Sequence, residues 1–173
     1  IFYMFNHGFS TAALFLVLGF LVKRRGSAQV DAFGGVQKTA PVLAGMFLFA
    51  GLATMSLPGI SNFIGEFMVL AGAWSRHPVY VAVATLGMVL GAVYILLTYK
   101  RTMTGPLTQA TKAHVTTDLT GLEKAALTPL VILLLVFGFF PRPMLHVIEP
   151  VAHQTMSIVG VTDPAPAAEE GVK

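Results

Sequence analysis

The chain has 173 residues, of which 55% are hydrophobic and only 11% carry a charged side chain. A water-soluble domain carries about 25% charged residues, so this composition excludes an ordinary soluble domain and indicates a protein dissolved in lipid. The net charge of +3 comes from basic residues at the ends of apolar runs, without the basic, aromatic stripe of a nucleic-acid binder. The absence of cysteine excludes a disulfide or a thiolate metal site within the chain.

The first predicted membrane span covers residues 2–22. An apolar run of this length suits a bilayer, whose hydrocarbon core of roughly 30 Å needs about 20 helical residues. The basic cluster Lys23-Arg24-Arg25 and a polar loop follow it. Because the chain opens inside an apolar run, without a basic segment or a cleavage site, we interpret it as a fragment and not as a signal peptide.

The second apolar run, residues 41–75, is too long for one straight span, since an unbroken helix of that length would measure about 50 Å. A break is predicted near its middle, where Pro58 removes an amide donor and Gly59 relaxes the backbone. Ser61 and Asn62 follow, and their side chains can bond the backbone groups that the break sets free. Unwound backbone at membrane depth needs protein or water around it, so the break indicates a polar interior.

The third span is predicted over residues 79–99 and the fourth over residues 121–140. Thr120 and Glu123 have the spacing of a capping box at the start of the fourth helix. Pro129 lies inside this helix and predicts a kink.

Beyond Pro141 and Pro143, which end the fourth span, residues 144–161 form a mildly amphipathic segment. We expect it to lie along the outer membrane surface. Residues 162–173 are rich in Ala, Pro and Glu and are predicted to be a disordered tail.

The loops indicate how the chain is oriented. Loops 23–40 and 100–120 carry most of the basic residues, so the positive-inside rule places them in the cytoplasm and the C-terminal tail outside. The predicted fold class is therefore an all-α integral membrane protein with about four transmembrane helices, the second of them discontinuous.

Ionisable residues inside the spans are the candidates for chemistry, because insertion of an acid or base at the centre of a span costs roughly 2.5–3.5 kcal/mol even on mild scales. Glu66 is the only charged residue between Thr39 and Ser75. The start of the second half-helix favours its carboxylate, whereas burial favours the protonated acid. This balance suits a group that takes up and releases protons, although a Glu paired permanently with a base of another span is the structural alternative.

His7, within the first span, is the second candidate. A histidine exchanges protons near neutral pH, so it could serve a proton relay. Beside Asn6 and Ser10 it could equally be a hydrogen-bonded packing residue, and the pattern favours neither reading. The other histidines fall in predicted loops or the tail, at spacings that form no metal pattern: His77, His114, His146 and His153.

Three segments resemble a known family. Residues 6–15 resemble the segment HGxSxAxLF of the antiporter-like subunits of proton-pumping NADH:quinone oxidoreductase, respiratory complex I. Residues 57–67 resemble the discontinuous helix of that family, PGxxNFxGEF, and residues 139–143 resemble the GFYPxP end of its last helix. The sister subunits generally have Lys at the position of Glu66, so the acid at this position resembles the chain M type of the family.

The resemblance implies the last third of an antiporter-like fold with fourteen helices in a bacterial inner membrane. It implies proton transfer by Glu66 and His7 on a central hydrophilic axis, with the break supported by Pro58, Gly59, Ser61 and Asn62. Proton pumping would be driven by quinone reduction elsewhere. FMN, iron–sulfur clusters and quinone would belong to other subunits, and the partners would be membrane subunits of the complex, especially the sister antiporter-like ones.

Two other functions stay open on the sequence. One is a related subunit of a multisubunit cation/proton antiporter or of a membrane-bound hydrogenase, built on the same fold. The other is a membrane scaffold without transport activity, in which Glu66 and His7 serve packing alone.

Overall fold

A computed structural model describes residues 1–160, and every regular element within them is helical. The predicted tail, 162–173, lies outside the described residues. The α-helices within them are α1 (Phe2–Arg25), α2 (Pro41–Thr54), α3 (Ser61–Trp74), α4 (Pro78–Met103), α5 (Gln109–His114), α6 (Gly121–Phe139) and α7 (Arg142–Val159). Two short 3-10 turns, Val30–Ala32 and Val36–Lys38, lie between α1 and α2.

Helices α1, α4 and α6 are each long and apolar enough to cross a membrane. Helices α2 and α3 have 14 residues each, or about 21 Å, which is shorter than the hydrocarbon core. Segment Val30–Lys38 could extend α2 to spanning length, but the pair is bent by 115°. The structure thus has three helices of spanning length, or four spans if the bent pair is counted as one, and the second apolar run is interrupted between Thr54 and Ser61. The predicted fold class, with about four spans and a discontinuous second one, is confirmed.

Several helices differ from the sequence prediction; α4, for example, runs to Met103, four residues beyond its predicted end at residue 99. Helix α1 continues past residue 22 to Arg25, because basic side chains are favourable at the C-terminal end of a helix. Gly26 then ends it in a left-handed conformation (φ 70°), and its amide donates to the carbonyl of Val22 at 2.7 Å. Helix α5, which the sequence did not predict, forms inside the loop between α4 and α6, where the Thr108 side chain caps it.

The loops 26–40 and 104–120 lie against each other at one end of the helices. The amide of Gly35 donates to the carbonyl of Thr104 at 3.0 Å, and the amide of Thr108 donates to the carbonyl of Gly34 at 3.4 Å. We call this end, with the helix ends that adjoin it, the basic end. A core of buried apolar side chains extends inward from it and includes Val17, Leu21, Phe33, Val36, Leu43, Phe47, Met103, Val115, Leu119 and Leu127.

Helix α1 is central to the unit Ile1–Pro141, because it packs against α2, α3 and α6. Helix α6 starts with the predicted capping box of Thr120 and Glu123, and it continues through Pro129 to Phe139. A second unit begins at Arg142. Its helix α7 is amphipathic and contains Pro150, and its predicted place on the outer membrane surface stays a prediction.

Candidate functional site

The break between α2 and α3 consists of two linked turns. Helix α2 ends in a Schellman motif: the amide of Leu57 donates to the carbonyl of Leu52 at 3.0 Å and that of Ser56 to the carbonyl of Ala53 at 3.2 Å. Ser56 adopts the left-handed conformation that this motif requires (φ 57°), which costs a residue other than glycine about 1–2 kcal/mol.

A type II turn completes the break. Pro58 and Gly59 occupy its two central positions, Gly59 has a φ of 96°, and the amide of Ile60 donates to the carbonyl of Leu57 at 3.1 Å. A type II turn requires a positive φ at its third residue and favours proline at its second. The Pro-Gly pair therefore fixes the direction in which the chain enters α3.

The start of α3 is polar and buried. No side chain caps the helix at Ile60. The side-chain amide of Asn62 donates to the hydroxyl of Ser10 at 2.8 Å and to the carbonyl of Ala53, at the end of α2, at 2.9 Å. Asn62 thus joins both sides of the break to α1. Ser61, for which the sequence suggested a similar role, has a buried hydroxyl without a hydrogen-bond partner in residues 1–160.

One face of α1 meets α3. The backbone of Tyr3 lies against Gly65, where an added Cβ would come within 2.7 Å of the Tyr3 Cα, and Ser10 lies against Asn62. Asn6 falls between Tyr3 and Ser10 at helical spacing, so it shares this face. Its side chain is fully buried, at 0% exposure.

Unpartnered polar atoms concentrate around this contact. Within the described residues, both polar atoms of the Asn6 amide, the carbonyl oxygen of the Asn62 side chain, and the hydroxyls of Ser56 and Ser61 are buried without a hydrogen bond. Buried polar groups are normally hydrogen-bonded to protein or to water. The cluster therefore has hydrogen-bonding capacity that no group in residues 1–160 satisfies.

Glu66 lies beside this cluster, in the second turn of α3. It is half-buried, and it forms neither an ion pair nor a hydrogen bond with another side chain in residues 1–160. Across the helix contact, the backbone of Tyr3 lies against Gly65, the residue that precedes Glu66.

His7 lies one turn further along α1. Its ring stacks on that of Tyr3, with 5.6 Å between the ring centroids, and its Nε2 is 3.3 Å from the hydroxyl of Thr11. The structure therefore brings Glu66 and His7 to adjacent helices without joining them directly. Tyr3 lies between them, and the sequence interpretation missed it although it stands four residues before His7.

A network at the basic end was also missed. The guanidinium of Arg24 forms a two-point ion pair with the carboxylate of Glu123 and donates to the carbonyls of Phe20, Thr117 and Asp118 at 2.9–3.0 Å. The Asp118 carboxylate accepts from the first amides of α2, those of Val42 and Leu43, at 2.8 and 2.9 Å. This network links the ends of α1, α2 and α6.

No cluster of three potential metal-binding His, Asp or Glu side chains occurs in the described part of the chain. His77 contacts the ring of Tyr80 edge-on, and a ring nitrogen of His114 lies 3.0 Å from the carbonyl of Ala110.

The chain is similar in sequence and in fold to known proteins. NADH-quinone oxidoreductase subunit M of Mycobacterium tuberculosis is 48% identical over 170 residues, which cover 98% of this chain and 30% of that protein. NADH-ubiquinone oxidoreductase chain 4 of Arabidopsis thaliana is 39% identical over 142 residues, covering 82% of this chain and 28% of that protein. The chain thus spans about 30% of the length of these curated relatives.

A solved structure, respiratory complex I from Thermus thermophilus with bound NADH, contains a chain that superposes with a TM-score of 0.76 at 31% identity. The match covers 88% of this chain and 32% of that one. The family model described as NADH:quinone oxidoreductase/Mrp antiporter, transmembrane, matches residues 1–93, which include His7, the break and Glu66. On this evidence the chain belongs to the NADH:quinone oxidoreductase/Mrp antiporter transmembrane family.

Proposed function

We propose that the chain carries part of a proton path in a proton-translocating membrane subunit, and that Glu66 takes up and releases the proton. The observation that carries the proposal is a lone half-buried acid beside an interrupted helix and a buried cluster of unpartnered polar atoms. Intramembrane acids are costly and are kept mainly where they act. Discontinuous helices in transporters serve ion sites in the same way.

His7 is the proposed second member of the path. Its ring stacks on that of Tyr3, whose backbone lies against Gly65, the residue before Glu66, so a proton could pass between them through the Tyr3 hydroxyl or through water held by the polar cluster. A histidine takes part in such transfer near neutral pH because its two protonation states are then close in free energy.

The proposed setting is a multisubunit NADH:quinone oxidoreductase in a bacterial inner membrane, with loops 23–40 and 100–120 in the cytoplasm. The names of the relatives and of the matched complex support this setting. In it, FMN, iron–sulfur clusters and quinone belong to other subunits, whereas this chain supplies ionisable groups and binds none of them. The partners are neighbouring membrane subunits, especially the sister antiporter-like ones.

The test replaces Glu66 by Gln in the full-length protein and measures proton pumping and NADH:quinone turnover in membrane vesicles. We expect pumping to fall at least tenfold with the complex still assembled, because the amide cannot exchange a proton. The matched control is Glu149→Gln, the same chemical change at an exposed acid of α7, and it should pump normally. Unchanged pumping in the Glu66 variant would instead favour the scaffold function.

A further inference from the structure

A cavity of about 540 Å³ opens at the basic end, beside the last turn of α4. Its volume lies within the range of about 300–1,000 Å³ that is typical of small-molecule sites. Its lining combines two cationic side chains with apolar and backbone surface: Phe33, Gly34, Leu97, Lys100, Arg101, Thr104, Gly105, Pro106 and Thr108.

The walls of the cavity are held in place by the protein itself. The backbone hydrogen bonds that join Gly35 to Thr104 and Thr108 to Gly34 tie the two loops together. The hydroxyl of Thr104 already donates to the carbonyl of Lys100, and that of Thr108 donates to the hydroxyl of Thr111. The charged side chains are therefore the main donors left for a ligand.

Lys100 and Arg101 are exposed, and neither side chain forms an ion pair or a hydrogen bond within residues 1–160. Two acids at this end already bind other groups, since Glu123 pairs with Arg24 and Asp118 caps α2. Among residues 1–160, Asp31 is the acid left to balance this end, so the cavity lies in a positive field that attracts an anion.

The place of the cavity identifies the kind of anion. Lys100 and Arg101 stand in the last turn of an apolar, spanning helix, where the hydrocarbon core gives way to headgroups. Phe33 and Leu97 give the cavity an apolar side. Basic pockets at the ends of transmembrane helices suit anionic lipid headgroups, which present phosphate and acyl chain together.

We propose that this cavity binds the phosphate of an anionic phospholipid, with Lys100 and Arg101 as its ligands and Phe33 and Leu97 against the first methylenes of the acyl chains. Arg101 can contact two phosphate oxygens at once, whereas Lys100 acts as a point charge. The site lies at the opposite end of α4 from Pro78 and does not depend on Glu66.

The test uses the full-length protein within its complex, in nanodiscs containing a phosphatidylglycerol that carries a photoreactive group beside its headgroup. We expect photoproducts on residues 97–108 and on Phe33 or Gly34, and far fewer with the matching phosphatidylcholine probe. This measurement on the unmodified protein needs no variant to fold. Absence of photoproducts at these residues, or equal labelling by both lipids, would overturn the proposal.

Two double variants then test which side chains recognise the lipid headgroup. Lys100→Gln with Arg101→Gln should lower phosphatidylglycerol labelling of the cavity at least fivefold. The charge-matched control, Lys38→Gln with Lys112→Gln, removes two exposed cations of the same end outside the cavity and should leave labelling within twofold. An equal loss of labelling in both double variants would show that diffuse positive charge alone attracts the lipid. Loss of labelling in the presence of millimolar inorganic phosphate would show a site for soluble anions. Either result contradicts a lipid site.

Discussion

Asn62 is the residue on which the local structure of the break depends. Its side-chain amide bonds to both Ser10 and the carbonyl of Ala53, and all three groups are buried. A hydrogen bond lost in such a place costs more than one at the surface, because the partner that stays behind cannot reach water.

Replacing Asn62 by Ala should lower the free energy of unfolding by about 1–3 kcal/mol. The measurement is unfolding of the purified full-length protein in detergent, followed by circular dichroism. The control is Thr98→Val, which removes a hydroxyl that bonds only to the carbonyl of Tyr94 on its own helix. This variant should lower the free energy of unfolding by less than about 0.5 kcal/mol, as is typical of surface substitutions. Equal losses in both variants would mean that Asn62 does not join the two halves of the break.

At the scale of the helices, the crossing of α1 and α3 is set by Gly65. An added Cβ there would come within 2.7 Å of the Tyr3 Cα and 3.0 Å of its amide nitrogen, and the backbone cannot move aside as a side chain can. Small residues allow this close approach in membranes, where packing rather than the hydrophobic effect drives helix association.

Gly65→Ala should therefore separate α1 from α3, which lowers stability by about 1–3 kcal/mol and moves Glu66 away from Tyr3. Gly72→Ala, on the same helix, is the matched control, because an added Cβ meets nothing within 4 Å. We expect the control to be neutral or slightly stabilising, since Ala is the better helix former. Both variants are compared by apparent melting temperature and by proton pumping, and equal behaviour would contradict the close crossing.

Across the whole molecule, the features with local causes were those that the sequence could predict. The break follows from Pro58 and Gly59, whose turn chemistry involves four adjacent residues, and the start of α6 follows from Thr120 and Glu123, three residues apart. Spans followed from apolar length alone. Even here α2 ended at Thr54, and Ser56 just beyond it adopts a left-handed conformation that its residue type does not indicate.

Contacts between distant segments could not be predicted in this way. Arg24 and Glu123 are 99 residues apart in the chain, and the basic cluster that contains Arg24 indicates only topology when it is considered alone. Tyr3 gained significance only when α3 was found against α1. The sequence thus identified the ionisable members of the site, whereas their neighbours depended on helix packing.

The ion pair of Arg24 and Glu123 gives the last prediction, because it links the first and last spans of the larger unit. The two side chains are 9% and 14% exposed, so removal of the arginine leaves a partly buried carboxylate without its partner. Such a loss typically costs roughly 3–5 kcal/mol, and we expect about 3 kcal/mol for Arg24→Gln, because the pair is not fully buried.

Lys23→Gln is the control for this change: it removes the adjacent, exposed cation and should shift stability by less than about 0.5 kcal/mol. The double variant Arg24→Gln with Glu123→Gln should recover part of the loss, because no unpaired charge is left and Gln still completes the capping box at Thr120. Unfolding in detergent of the full-length wild type, of Arg24→Gln and Glu123→Gln alone and of the double variant measures the coupling. If Arg24→Gln were no more harmful than Lys23→Gln, the basic end would be held together by its apolar core and loop contacts, and the arginine would serve orientation in the membrane alone.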